Sequence, residues 1–338
     1  MFALAALPLL LSSLPRVTPY ASRTGAVSAF RRRCAASSTC RSGAPPPFAT
    51  AFELRLDDTS RCVAVRLPMV DDAPSGLPEH DLHAQELDAL GVMRPARRMS
   101  FAGGRLAMRR ALQSLGMGAA DGPVLTDRVG APIARPGTIG SISHTHGLAA
   151  ALVCVPPSEP SSMAAALGPA SRDDARWAVG IDVESVERAL NPKLAVRCLH
   201  PDERATLGAR PHGGEPGASD SLLSDAASDL LLRVSLKEAL YKALHPLVHT
   251  PIRWHSVQVQ PLRDGSCTVV ADDLRDQLGL AELHASAAWR VCDGFVVSTA
   301  RARVEPMSGV VVAAVGGAGA QQEAAADEEQ PADVGRAR

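Results

Sequence analysis

Residues 177–184 read WAVGIDVE, and this stretch decides what kind of fold the chain can adopt. Its compact apolar part predicts a buried β-strand. Because successive side chains of a strand point to opposite faces, Ile181 and Val183 are expected to face the core. Asp182 and Glu184 then stand side by side on the other face. The stretch therefore predicts a core strand that carries two adjacent carboxylates.

The rest of the chain shows strand and helix patterns on both sides of this stretch. Apolar and period-two patterns predict strands over 52–67, 139–155, 177–183, 256–260, 267–270 and 295–300. Apolar residues at helical spacing predict helices over 82–90, 97–115, 194–207 and 229–244. This mixture predicts an α+β fold in two halves, residues 51–165 and residues 166–304, joined by a Pro/Ser/Ala-rich linker.

The two ends of the chain differ in composition from the rest. Residues 1–14 are apolar, residues 16–47 are rich in Arg and Ser, and the first acidic residue is Glu53. This order is typical of organelle import leaders, and its two-part form favours a plastid over a mitochondrion. A secretory signal and a disordered cytoplasmic N-terminus are the alternatives. We therefore expect a disordered leader over residues 1–50, and a Gly/Ala-rich, acidic, disordered tail over residues 305–338.

Bulk composition excludes several classes of function. The formal net charge of -1 provides no overall field for nucleic acid or membrane binding. Aromatic residues make up only 3% of the chain, which argues against a base-stacking surface. The cysteines are scattered and form no C-x-x-C pair, so we expect buried free thiols rather than a zinc site.

The acidic pair on the predicted strand is the first candidate site. Two neighbouring carboxylates repel each other unless protons or a cation lie between them. An oxygen-ligand site for Mg²⁺ at Asp182 and Glu184 would meet that need. The alternative is a strand that leaves the core with both acids solvated.

The second candidate is the predicted helix segment Ser235–Lys242, which reads SLKEALYK. Glu238 and Lys242 lie one turn apart, which is also the spacing of an ordinary stabilising ion pair. Ser235 with Glu238 also fits a capping box at a helix start. However, the chain has only three lysines, at 193, 237 and 242, and two of them fall here. Because an arginine would serve equally well in a surface pair, this concentration favours a functional role.

The third and fourth candidates are polar and basic. Residues 140–145, GSISHT, end a predicted strand with hydroxyls and His144, which can bind a phosphate, although a lone histidine is more often a packed or solvated residue. A basic cluster lies at the start of the preceding predicted helix. Its guanidinium groups suit phosphate recognition, with a solvated basic face as the alternative, and the candidates are Arg97, Arg98 and Arg105.

In this order and spacing the motifs resemble the 4′-phosphopantetheinyl transferases of the larger, monomeric type, and most closely the enterobactin-synthase subgroup. The resemblance covers about residues 97–259. The matching segments are Gly103–Arg105, Ser141–Thr145, Gly180–Glu184, Cys198–Glu203 and Val234–Lys242. Two positions depart from the family pattern: Val234 replaces an aromatic residue, and Arg135 replaces the tryptophan of a W-P pair.

The resemblance implies two similar α+β halves related by a pseudo-twofold axis, with coenzyme A bound in the cleft between them. It implies that Asp182, Glu184 and Glu238 hold Mg²⁺. Glu238, or a water on Glu184, would accept the proton of a carrier-protein serine, and Lys242 would assist the departing 3′,5′-ADP. The nucleotide phosphates would be bound by Arg105, by Arg97 or Arg98, and by His144, with Ser143 and Lys237 nearby.

The implied partner is an acyl carrier protein, or a carrier domain of a polyketide synthase, and we expect a monomer that binds neither nucleic acid nor membrane. Two other functions remain open from the sequence. A Mg²⁺-dependent phosphohydrolase could use the same carboxylates on water. A non-catalytic relative that binds coenzyme A or a carrier is the second, and Val234 is the motif-level feature that suggests it.

Overall fold

The computed structural model describes residues 46–68, 77–118, 122–127, 130–157, 177–209 and 225–306. Its N-terminal half is a four-stranded antiparallel sheet of order β1-β2-β4-β3 with helices on one face. The elements are β1 (Thr50–Asp57), β2 (Ser60–Arg66), α1 (Ala84–Gly91), α2 (Pro95–Ser114), β3 (Ile139–Thr145) and β4 (Leu148–Cys154).

The C-terminal half is a five-stranded antiparallel sheet of order β5-β9-β8-β7-β6. Its strands are β5 (Trp177–Ser185), β6 (Gln258–Pro261), β7 (Ser266–Val270), β8 (Leu280–Cys292) and β9 (Phe295–Pro306). Its helices are α3 (Lys193–Cys198), α4 (Pro201–Ala205), α5 (Ala226–Val248) and α6 (Asp272–Leu278). The α+β fold in two halves, each with a long helix against an antiparallel sheet, is confirmed.

The first sheet packs against helix α2 on one face and against the C-terminal half on the other, and alternate side chains of its strands point to these two faces. Val63 and Val65 of β2 pack with α2, whereas Cys62 and Ala64 of the same strand join a core shared with Ile181 of β5. Helix α5 packs on the opposite face of the second sheet, against β5 and β9. The layers therefore run α2, first sheet, second sheet and α5, so β3 and β5 meet at the junction of the halves.

Gly180 allows α5 to lie directly against β5. A Cβ at Gly180 would be 1.8 Å from the carbonyl oxygen of Ala239 and 2.8 Å from the amide nitrogen of Ala243. Ile181 and Val183 are buried on the other face of the strand, as the alternation predicts. Asp182 and Glu184 therefore share the face of Gly180, next to α5.

Several element predictions need correction. The predicted helix over 194–207 is two short helices, because Leu199 has extended backbone between α3 and α4. Strand β8 and helix α6 were not predicted. The fold also begins before residue 51, because Phe48 is buried and Thr50 starts β1. Most of the predicted leader, the tail beyond 306 and most of the linker lie outside the described residues.

Two further expectations concern thiols and membranes. All five cysteines in the described part of the chain are free thiols, and most are buried. A search of the same residues finds no helix whose length and apolarity would let it cross a bilayer.

Candidate active site

A cleft of about 470 Å³ opens where β3, β5 and α5 meet. Its floor carries the acidic residues of β5 and α5, and one wall is formed by the segment that leads from β5 into α3. The residues that line it include Ser143, His144, Asp182, Glu184, Arg188, Leu194, Val234, Glu238 and Lys242. Three carboxylates and one lysine from distant sequence positions therefore share one opening.

Asp182 lies at the centre of a hydrogen-bond network. Its Oδ1 accepts from Ser143 Oγ and from Lys242 Nζ, each over 2.9 Å. Its Oδ2 accepts from Ser235 Oγ, also over 2.9 Å. Only 6% of Asp182 is exposed, so these bonds replace most of the hydration that a carboxylate needs.

Lys242 joins the two halves of the molecule. Its Nζ donates to Asp182 Oδ1, to the carbonyl oxygen of Ile181 over 2.9 Å, and to Ser143 Oγ over 3.0 Å. An ammonium has three N–H donors, so all of them are used. Any contact between Lys242 and a bound phosphate must replace one of these bonds.

Glu184 and Glu238 are the less satisfied acids of the cleft. Burial, and then the negative charge of Asp182, raise the pKa of Glu238, and Glu184 adds to this repulsion while Lys242 opposes it. Burial also raises the pKa of Glu184, against the opposing hydrogen bond from Arg188, with which Glu184 forms an ion pair. Three acidic side chains in one cleft therefore compete for few positive partners.

The types of side chain here fit a hard divalent cation. Carboxylate oxygens are the ligands that Mg²⁺ prefers, and a cation would relieve the repulsion among these acids. However, within the described residues no group of three or more His, Cys, Asp or Glu is arranged to hold a metal ion. Asp182 Oδ1 is already taken by Ser143 and Lys242, and Glu184 by Arg188. These partners must move before the acids could surround a cation.

Strand β3 turns a row of hydroxyls towards β5. Ser141 Oγ accepts from the amide of Ile181 over 3.2 Å, Ser143 Oγ donates to Asp182, and Thr145 Oγ1 lies 3.5 Å from Glu184 Oε2. These positions are two apart, so they share one face of the strand. The spacing S-x-S-x-T therefore provides the junction between the halves as well as one side of the cleft.

Arg97 and His144 form a polar pair at the cleft rim. Arg97 Nη1 lies 2.7 Å from His144 Nε2. Burial lowers the pKa of His144, and the charges of Arg97 and Lys242 lower it further. The imidazole therefore accepts a hydrogen bond in its neutral form and leaves the positive charge on Arg97.

Lys237, predicted to lie near the nucleotide, is not among the residues that line the cleft. Its Nζ donates to the carbonyl oxygens of Cys198, Trp254 and Val257 over 2.8 to 2.9 Å and pairs with Glu203 at 2.7 Å. Both side chains of that pair are almost fully buried. Lys237 therefore holds α5 to the segment before β6 and has no donor for a ligand.

Arg98 and Arg105, also predicted to bind phosphate, make contacts within the protein. Arg98 donates to the carbonyl oxygens of Gly91 and Met93, so it holds the end of α1. Arg105 lies in the third turn of α2, where it is 4% exposed, stacks on the Phe101 ring and donates to the carbonyl oxygen of Val124. Burial lowers the pKa of Arg105 to about 10. Neither arginine lines the cleft.

Two polar residues of the site were missed by the sequence analysis. Ser235 was interpreted as a helix cap, but α5 begins at Ala226, so Ser235 is inside the helix and bonded to Asp182. Arg188 follows Glu184 by four residues, and that spacing could have indicated their ion pair. For Ser235 the available signals were its place in the matching segment Val234–Lys242 and its position three residues before Glu238, on the same side of the helix.

Comparison with known proteins provides two family-model matches. Residues 86–154 match the 4′-phosphopantetheinyl transferase N-terminal domain, and residues 178–300 match the 4′-phosphopantetheinyl transferase superfamily. No curated protein matches the chain.

Similar solved structures include holo-[acyl-carrier-protein] synthase from Neisseria meningitidis, at 18% identity over 37% of this chain and 96% of that one, with a TM-score of 0.26. A Chronobacterium ammoniagenes ACPS–CoA complex has 16% identity, covering 38% of this chain and 98% of that one, with a TM-score of 0.28. Holo-ACP-synthase from Plasmodium yoelii has 16% identity, covering 38% and 93%, with a TM-score of 0.26.

Proposed function

Because the chain carries a 4′-phosphopantetheinyl transferase N-terminal domain and a second domain of that superfamily, we propose that it transfers the 4′-phosphopantetheine group from coenzyme A to a serine of an apo carrier protein. The other product is 3′,5′-ADP. The acceptor we propose is an acyl carrier protein, with a polyketide carrier domain as the second choice, and the enzyme acts as a monomer of the enterobactin-synthase type.

The observation that carries this proposal is the convergence of Asp182, Glu184, Glu238 and Lys242 on one cleft between the halves. Phosphoryl transfer needs groups that position the phosphates and compensate their charge, and little covalent chemistry from the protein. Arg97 and His144 lie at the rim on the N-terminal side, where they can bind the nucleotide phosphates. The cations at its sides suit a bound pyrophosphate directly, and the acids on its floor suit it through a divalent cation that they would hold against the phosphates.

In the proposed step, the serine oxygen of the carrier bonds to the phosphorus next to pantetheine. The bond from that phosphorus to the bridging oxygen breaks, and 3′,5′-ADP leaves. Glu238, or a water held by Glu184, accepts the serine proton. Lys242 exchanges one of its present acceptors for the leaving phosphate and donates a hydrogen bond or a proton to it.

The proposal includes Mg²⁺ held by Asp182, Glu184 and Glu238. Such an ion supplies positive charge that compensates the developing charge on the pyrophosphate. The protein must release Arg188 from Glu184 for these acids to come together. Mg²⁺ removal by a chelator should therefore abolish transfer, and added Mg²⁺ should restore it.

The decisive experiment incubates the protein with coenzyme A, Mg²⁺ and an apo carrier protein, and then measures the mass of the carrier. Transfer adds one phosphopantetheine group to the carrier serine. Degradation of coenzyme A without a gain in carrier mass would instead establish the phosphohydrolase. Binding with neither product would establish the non-catalytic relative.

Glu238→Gln is the matched variant for this assay. It keeps the size of the side chain but removes a carboxylate that accepts the proton and would help hold Mg²⁺, so turnover should fall by about 10²–10⁴-fold. Binding of 3′,5′-ADP should persist, because Arg97 and His144 are unchanged. Undiminished turnover in Glu238→Gln would remove this residue from the proposed step.

We also propose that the leader directs the protein to a plastid. The apolar start and the acid-free tract of residues 1–47 support this proposal. A fluorescent reporter fused to residues 1–50 should enter plastids of an algal host, whereas a reporter fused to residues 16–50, without the apolar start, should not. Mitochondrial or secreted fluorescence would contradict it.

A further inference from the structure

The Asp182 oxygen that does not contact Lys242 is bonded by a buried hydroxyl, that of Ser235, which the proposed step does not use. Ser235 Oγ lies 2.9 Å from Asp182 Oδ2 and 3.0 Å from Ser298 Oγ. Ser235 and Ser298 both have an exposed fraction of 0%. They belong to α5 and β9, so three elements meet at one carboxylate.

The direction of these bonds follows from the donors available. A hydroxyl has one proton, and an ionised carboxylate can only accept. Ser235 Oγ is the donor in both bonds, so its one proton lies between Asp182 Oδ2 and Ser298 Oγ. Ser298 also lies directly opposite Asp182 in the ladder between β5 and β9. The β5–β9 ladder therefore places Ser298, the second acceptor of Ser235, next to Asp182.

The number of hydrogen bonds that Asp182 can accept shows why the bond from Ser235 matters. Each carboxylate oxygen offers about two acceptor positions. Ser143 and Lys242 fill both positions of Oδ1, and Ser235 fills one of Oδ2. One position on Oδ2 remains. Without Ser235 the carboxylate could rotate, which would weaken one of the three hydrogen bonds that hold the Lys242 ammonium.

We propose that Ser235, supported by Ser298, is a positioning residue that fixes the Asp182 carboxylate and, through it, Lys242 at the cleft. This inference rests on the proposed transfer function. Ser235 touches no substrate, so it acts only through Asp182. The geometry also gives a reason for a fully buried serine in the middle of this helix, between the buried residues Leu232 and Leu236.

The test compares steady-state kinetics of Ser235→Ala, Ser298→Ala and the parent protein in the carrier assay. Ser235→Ala should reduce kcat by about 10- to 100-fold, as loss of a residue that orients a site ligand commonly does, while the KM for coenzyme A changes less than about twofold. Ser298→Ala should lower kcat in the same direction but less. Ser235→Thr, which keeps the hydroxyl, should recover part of the loss.

Ser256→Ala is the control, because Ser256 is also buried and bonded, but to Gln277 and away from the cleft. Its kcat should stay within about twofold of the parent value, since it has no contact with a site group. If Ser235→Ala retains parental kcat, or raises KM instead, the inference is overturned and the transfer function stands. Equal losses in Ser235→Ala and Ser256→Ala would also overturn it.

A second measurement does not depend on transfer. Urea unfolding midpoints are compared for Ser235→Ala in the parent and in an Asp182→Ala background. If Ser235 is bonded to Asp182, its replacement shifts the midpoint in the parent but much less once Asp182 is absent. Equal shifts in both backgrounds would refute the hydrogen bond, even if the parent protein transferred nothing.

Discussion

Lys237 and Lys242 lie on one helix, yet they perform different tasks. They are five residues apart, which is roughly 140° around the helix axis. Lys242 shares the cleft side with Glu238, whereas Lys237 points to Glu203 and three backbone carbonyls. Burial lowers the pKa of Lys237 even though Glu203 opposes this effect. A buried, fully bonded ammonium is suited to holding a structure together.

Lys237→Ala should therefore destabilise the protein more than it changes the cleft. The substitution leaves Glu203 buried without its cation, which typically costs about 3–5 kcal/mol of unfolding free energy. Urea denaturation of the purified variant measures this loss. Lys193→Ala, at an exposed position, is the control and should unfold like the parent. A loss below about 1 kcal/mol for Lys237→Ala would contradict the structural role.

Elements differ in how far the sequence predicts them. The orientation of β5 follows from alternation alone, so Ile181 and Asp182 were assigned to the correct faces. Helical spacing already placed Glu238 and Lys242 together, and the same geometry could have separated Lys237 from them. Strand β8 was missed because small residues such as Ala285 and Ala287 give a weak alternating signal.

Contacts between elements that are distant along the chain could not be predicted from the sequence. Arg97 and Arg98 are neighbours with the same side chain, and only the position of α1 decides that Arg98 binds its end while Arg97 meets His144. Arg105 likewise matches a motif, but packing of α2 against Phe101 and Val124 removes it from the cleft. The sequence could predict that arginines contribute to this region. Which way each arginine side chain points depends on tertiary packing.

The contact of β5 with α5 provides a prediction at the scale of elements. Gly180→Ala places a methyl group against the carbonyl oxygen of Ala239, so strand and helix must separate. Overpacking of this kind costs about 1–3 kcal/mol of unfolding free energy. Transfer should also fall, because Asp182 on β5 and Lys242 on α5 move apart. Thermal unfolding and the carrier assay measure the two effects.

Gly91→Ala is the matched control for that substitution. A Cβ at Gly91, the last residue of α1, meets nothing within 4 Å. Stability and transfer should therefore stay at parental values or improve slightly, because alanine favours a helix more than glycine does. If Gly180→Ala has the same stability and transfer activity as Gly91→Ala, neither property requires the close approach of β5 and α5.

At the scale of the whole molecule, ion pairs connect the two sheets beyond the shared apolar core. Arg301 of β9 bonds to Asp57 of β1 and to Ser60 of β2. Arg66 of β2 pairs with Asp293, which lies between β8 and β9. These pairs lie away from the cleft, so they affect how the halves are held and leave the chemistry of the acids unchanged.

The ion pair between Asp57 and Arg301 makes the free energy of unfolding depend on pH. Burial acts to raise the pKa of Asp57, but hydrogen bonds from Arg301 and Thr59 outweigh it and hold the pKa below its usual value of 3.8. The unfolded chain therefore binds the proton more readily than the folded one. The contribution is fully present above about pH 5 and disappears as the pH falls through the lower, folded-state pKa.

Asp57→Asn tests this dependence. Both side chains of the pair are more than a third exposed, so solvent screening limits the loss to about 0.2–1 kcal/mol of unfolding free energy near neutral pH. The difference between parent and variant, from urea unfolding at a series of pH values, should stay constant down to about pH 5 and shrink below the usual carboxyl pKa. Asp58→Asn, whose partner Arg55 lies in the same half, should show a smaller difference because Asp58 is 89% exposed. A gap between parent and Asp57→Asn that widens on acidification would show that Asp57 does not stabilise the folded protein through its charge.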